Sequence, residues 1–136
     1  MHGLLERYGS PLYVYDAERV RHAFTRFRNA FSYEPLELHY AIVCNKNHYL
    51  VALLHQLGCG IHANTPGDVH AALAAGVPPA SIIYSGTNLD AGDLDYLARH
   101  RIRLNLDSID QLLHFTLGHS APCLVMVATD SHKAVL

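Results

Sequence analysis

Lysine is almost missing from this sequence. It occurs at Lys46 and Lys133 and nowhere else in 136 residues, so any carbonyl-condensing chemistry within the chain must use one of these amines or the N-terminus. Basic blocks are missing as well. Ten Lys and Arg against twelve Asp and Glu give a formal charge of −2, which offers no electrostatic footprint for nucleic acid or an anionic membrane. No run approaches the ~18 apolar residues of a membrane span, and the start, "MHGLLERYGSPL", lacks the apolar stretch of a signal peptide. A cytoplasmic location is expected. Cysteine is sparse: Cys44, Cys59 and Cys123 are odd in number and widely spaced, which suggests neither a disulfide framework nor a zinc ribbon and predicts buried free thiols. Histidine, in contrast, occurs eleven times. As these residues protonate the formal charge moves from −2 towards +9 (−2 + 11), so mild acid is expected to disturb the protein.

What is present is a repeat. Half of the residues are apolar, enough for the core of one domain. The β-rich runs "LELHYAIVC" (36–44), "GIHAN" (60–64), "SIIYSG" (81–86), "IRLNLD" (102–107) and "CLVMVA" (123–128) recur regularly. Aligning His39, Ile61, Ile83, Leu104 and Val125 gives spacings of 22, 22, 21 and 21 residues. The segments between them carry helical punctuation. "NHYLVALLHQLG" places Leu50, Leu53, Leu54 and Leu57 on one face and stops at Gly58. "TPGDVHAALAAG" offers Thr65 as N-cap, Pro66 at the first helical position and Asp68 two residues on, a capping-box arrangement, and ends at Gly76. "NLDAGDLDYLARHR" has acids early and Arg99, His100 and Arg101 late, as the helix dipole favours, and "DSIDQLLHFTLG" starts at Asp107 or Ser108 and ends at Gly118.

Alternating βα units imply a parallel sheet with right-handed crossovers. A uniform unit near 22 residues fits a barrel better than an open doubly wound sheet, and five strands cannot close the eight-stranded version, which needs ~250 residues. The expected fold is therefore α/β: a partial (β/α)8 TIM-type barrel of about five units. "PLYVYD" (11–16) is expected to precede it as a short strand, followed by a helix capped by Asp16 with Val20, Phe24, Phe27 and Phe31 on its apolar face. The edges of strands one and five would be open, so association is expected.

The segments "YGSPLYVYDAERVRHAF", "YAIVCN", "LGCGIHANTPGDV", "AGVPPASIIYSG" and "LNLDSIDQL" together resemble the N-terminal part of the pyridoxal-phosphate-dependent decarboxylases of ornithine, diaminopimelate or arginine. The resemblance runs from Tyr8 to Val135. It implies an alanine-racemase-like barrel with the site at the carboxyl ends of the strands, pyridoxal 5′-phosphate as cofactor, a small amino-acid substrate and carboxy-lyase chemistry. It also implies a site shared between two subunits, so a homodimer or a heterodimer with a full-length decarboxylase is expected. Residues 1–136 would form a single incomplete barrel domain, without the family's later strands, phosphate loop and C-terminal β-domain.

Departures from the family pattern bear on the chemistry. In the motif Tyr-Ala-x-Lys-(Ala/Cys)-Asn, the residues Tyr40, Ala41, Cys44 and Asn45 set the register, and Val43 then occupies the Schiff-base lysine position. Valine has no amine. Lys46, three residues further on, is the surrogate candidate; three extended residues amount to roughly 10 Å, which favours an exposed loop lysine instead. Ala41 and His62 are the cofactor-binding candidates, with His62 where the family has an aspartate. Asp68 stands for a glutamate, and Met126 for an arginine of the last strand. Tyr84, Ser85 and Gly86 could line the mouth of a pocket. Cys44, His48 and His62 match no established metal-ligand spacing, and no metal is expected. The expected function is the N-terminal barrel part of a diaminopimelate- or ornithine-type decarboxylase, inactive on its own. The alternative is a non-catalytic regulatory protein of the antizyme-inhibitor kind.

Overall fold

Helix starts in this chain are fixed by single side chains, and the strands fall between them. The computed structural model describes residues 2–87, 89–106, 108–118 and 123–125. The helices are α1 (His2–Tyr8), α2 (Ala17–Asn29), α3 (His48–Gln56), α4 (Pro66–Ala74), α5 (Ala91–Arg99) and α6 (Ile109–Gly118). The strands are β1 (His39–Ala41), β2 (Gly60–Ala63), β3 (Ile82–Tyr84), β4 (Arg103–Leu106) and β5 (Cys123–Val125). The Asn47 side chain accepts from the amides of Tyr49 and Leu50, Thr65 from Asp68, Asp90 from Asp93 and Ser108 from Gln111. Each side chain satisfies donors that a helix leaves orphaned in its first turn.

Three helix ends are equally alike. Cys59 N donates to Leu54 O, Val77 N to Ala72 O and Ile102 N to Leu97 O, at 3.0, 3.1 and 3.0 Å, the long-reach bond of a Schellman closure. The residue before each of these donors is left-handed: Gly58 at φ +90°, Gly76 at +86° and, without glycine's freedom, Arg101 at +54°. The chain therefore turns back into the sheet by one device used three times.

The sheet is wholly parallel in the order β1-β2-β3-β4-β5. His39 lies beside Gly60, Ile61 beside Ile82, Ile83 beside Arg103 and Leu104 beside Cys123, offsets of 21, 21, 20 and 19 residues. The true register is thus slightly shorter than the spacing of the sequence repeat. Ile61 and Ala63, Ile82 and Tyr84, and Leu104 and Leu106 are buried and alternate with half-buried Gly60, His62, Ile83, Arg103 and Asn105. The buried row packs under α3 to α6, against Val51, Val69, Ala72, Leu97 and Phe115. The core lies between sheet and helices, and the other face of the sheet is largely polar.

At the amino ends of the strands, Glu37 accepts from Arg103 (3.2 Å) and lies 3.4 Å from His39 Nε2, while Arg103 also donates to the Ala80 carbonyl. His39 and Glu37 hold the Glu37 carboxyl below the ordinary range, with Arg103 adding to the effect. Gly60 is required beneath the His39 ring, because a Cβ there would sit 2.5 Å from it.

Three expectations are corrected. Residues 12–16 form no strand, since β propensity alone supplies no partner edge; Tyr13 is 87% exposed. The apolar face of α2 packs only partly: Val20 and Phe24 are half-buried, whereas Phe27 and Phe31 meet edge-on at 5.2 Å and stay exposed. Cys44 is exposed rather than buried, as it closes a short 3-10 turn (Ile42–Cys44) after β1, while Cys59 is buried as expected. Met126 and Lys133 lie outside the described residues, as does Asp107. Among the described residues no helix is long and apolar enough to cross a membrane.

Candidate functional site

The carboxyl ends of β1, β2, β3 and β4 gather the chain's polar loop residues. Lys46 follows the short turn after β1, and its ammonium reaches Asp68, near the start of α4, at 2.6 Å. Asp68 is 1% exposed, while the Lys46 side chain is half exposed. The other carboxylate oxygen of Asp68 accepts from the backbone amides of Asn64 and Thr65, both at 3.0 Å, and Thr65 Oγ1 accepts from Asp68 N in return. The capping box read from the sequence is present, and it carries an additional ion pair. Burial alone would raise the Asp68 carboxyl; Lys46, Asn64 and Thr65 together outweigh burial and hold it below the ordinary carboxylate range.

Lys46 is therefore neither a solvated loop residue nor a free amine. Its partner was missed at the level of sequence because the capping box already accounted for Asp68. A signal was available: Asp68 lies 22 residues beyond Lys46, one unit of the repeat, and neighbouring units place equivalent loop residues side by side.

Ala41 and His62 are brought together. They are lateral neighbours in the β1–β2 register, on the polar face of the sheet. Val43 sits in the turn after β1 and is 60% exposed. Tyr84 does not line the mouth. It is buried, and its hydroxyl is pushed up to about 12 by burial, reinforced by the Asp93 and Asp68 carboxylates.

Ser85 and Gly86 do line an opening. With Asn64, Thr65, Thr87 and Asn105 they form a cup of about 400 Å³ at the carboxyl ends of β2, β3 and β4. Asn64 Nδ2 donates to the Ser85 carbonyl at 2.8 Å, and Asn105 Nδ2 to Ser85 Oγ at 2.9 Å. Gly86 is needed at the rim, since a Cβ there would collide with the Tyr84 hydroxyl and the Asn64 carbonyl. Asn64, Ser85 and Asn105 are again related by the repeat, at intervals of 21 and 20 residues.

A parallel barrel fragment with its polar loops at the strand carboxyl ends is the setting of many cofactor enzymes. The family model described as "Pyridoxal-dependent decarboxylase, pyridoxal binding domain" matches residues 17–135, and the chain belongs to that family. It is 37% identical over 115 residues to the diaminopimelate decarboxylase of Methanothermobacter thermautotrophicus, covering 83% of this chain and 27% of that one. The diaminopimelate decarboxylase of Helicobacter pylori, solved in complex with L-lysine, superposes with a TM-score of 0.79 at 28% identity, over 90% of this chain and 32% of that one. The lysine/ornithine decarboxylase of Vibrio vulnificus shares the fold at a TM-score of 0.81 and 22% identity. The chain spans about a quarter to a third of the length of these relatives.

Proposed function

We propose that residues 1–136 form the barrel portion of a cytoplasmic pyridoxal-phosphate decarboxylase for a small diamino acid, and that this portion does not decarboxylate by itself. The family, and relatives named for diaminopimelate, support the substrate class. The free thiols of Cys44 and Cys59 agree with a reducing compartment. The observation that carries the inactivity is the ion pair at Lys46. Among the described residues this is the only lysine, and its ammonium is held by a nearly fully buried carboxylate.

The residues present do not make a complete site for pyridoxal phosphate. Condensation with an aldehyde needs an unprotonated amine, and pairing with Asp68 favours the ammonium. A phosphate is commonly taken by the free amides of a helix N-terminus, but here α3, α4, α5 and α6 have their first turns capped by Asn47, Thr65, Asp90 and Ser108. His62 beside Ala41 could stack on a ring without supplying a carboxylate's charge. When bound, the cofactor would act as the electron sink for decarboxylation. This part of the barrel contributes shape, Ala41, His62 and the polar cup.

Reduction with borohydride in the presence of pyridoxal phosphate, followed by peptide mass mapping, tests the reading. No pyridoxyl group on Lys46 and no release of carbon dioxide are expected. Labelled Lys46 together with decarboxylation by the 136-residue chain would overturn it.

A further inference from the structure

The cup between Asn64, Ser85 and Asn105 differs from an anion site in a specific way. Where parallel strands end and helices begin, free helix amides ordinarily make an anion cradle. Here those amides are occupied: Asp90 caps the helix after β3, and Thr65 with Asp68 caps the one after β2. What remains around the cup is rich in acceptors. The Ser85 carbonyl accepts from Asn64, the Ser85 hydroxyl from Asn105 and the Gly86 carbonyl from Gln111 at 3.4 Å, so three side-chain amides already spend donors within the wall. Asn105 Oδ1 is left over. It lies out of solvent contact with no hydrogen-bond donor, although Asn105 lines the cup. A buried acceptor without a donor costs about 1–3 kcal/mol, which a donor arriving in the cup would recover.

The nearby charges point the same way. The carboxylates of Asp68 and Asp93 both act on the Tyr84 hydroxyl, directly beneath Gly86. Lys46 neutralises Asp68 from the far side of the Asn64–Thr65 turn and is not among the residues of the cup. The cup therefore offers amide, hydroxyl and carbonyl oxygens next to net negative charge. An ammonium group, with three donors and a positive charge, matches that set; a carboxylate or phosphate does not.

We propose that this cup is a subsite for a primary ammonium group of a small aliphatic ligand, with Asn105 Oδ1 as its principal acceptor and Asn64 and Ser85 beside it. The proposal rests on the diamino-acid reading above and adds to it where one amine of the ligand docks. Its chemistry would remain on this part of the barrel whether or not a reactive lysine does.

The test uses the 136-residue chain without cofactor, titrated with 1,5-diaminopentane and with two probes of equal length, 1,5-pentanediol and pentanoate. Binding is read by calorimetry and by side-chain amide shifts of Asn64 and Asn105. The diamine is expected to bind at least tenfold more tightly than either comparison probe. Asn105→Leu should weaken it about tenfold and Asn105→Asp should tighten it several-fold. Where Asn105→Leu does not fold by circular dichroism, Ser85→Ala takes its place, with an expected loss of several-fold. Equal binding of the diol, preference for pentanoate, diamine binding unchanged in these variants, or no diamine binding at all would overturn the proposal. Failure here leaves the decarboxylase reading standing, because that is scored separately by pyridoxyl labelling and carbon dioxide release.

Discussion

The two ends of the sheet each carry an ion pair, and the two pairs are built differently. At the carboxyl end Lys46 meets a carboxylate that is 1% exposed and already holds two backbone amides. At the amino end Arg103 meets Glu37, whose side chain is 67% exposed. Similar distances hide different energetics. An exposed pair exchanges water for a partner of comparable quality, whereas removing one member of a buried pair leaves a charge or a cap unsatisfied. The carboxyl end is thus where the sequence has little freedom, and the amino-end pair joins β4 to the segment before β1 without being critical to stability.

Substitutions can break or sharpen that contrast. Asp68→Ala is expected to have the largest effect, about 3–4 kcal/mol in urea unfolding, because it removes the cap of α4 and the partner of Lys46 together. A loss below about 1 kcal/mol would show that the pair is no more than a surface contact. Lys46→Met comes next, at about 1–2 kcal/mol near neutral pH, since Asp68 retains its two amides. Its signature is pH dependence. The folded carboxyl of Asp68 lies below the ordinary value, so the stability it contributes is complete above the unfolded carboxylate range and disappears as pH falls through the depressed folded value. Thermal melts from pH 7 to pH 2 should therefore show a shallower acid decline in Lys46→Met than in the parent; parallel curves would refute the coupling.

Arg101→Gly should raise stability by about 1 kcal/mol, because Arg101 occupies at φ +54° the position that Gly58 and Gly76 fill in the equivalent helix ends. Glu37→Gln is expected to leave the unfolding midpoint unchanged within error. A large shift there would remove the difference between the two ends.

The fold was readable to the extent that it is local. Thr65-Pro66-Gly67-Asp68, Asp90 and Ser108 announce helix starts, and Gly58 and Gly76 announce ends, because caps act within one turn of backbone. The parallel sheet followed from the repeat. What escaped was relational: Lys46 on Asp68, Asn105 on Ser85 and Arg103 on Glu37 join residues 20 or more positions apart, and periodicity says nothing of which polar groups will meet. Residues 12–16 and Phe27 failed for the opposite reason, since a pattern suited to packing does not provide the surface to pack against.

The placement of the core has a kinetic consequence. Its members lie between each strand and the adjoining helices, so most contacts join residues within one or two units along the chain, as Ile61 does with Val69 and Leu104 with Phe115. Contact order is then low, and each unit can condense on its predecessor without waiting for a distant partner. Growth of such a sheet is directional, and during synthesis the earlier units would have an ordered layer of helices over their apolar face before the later ones emerge.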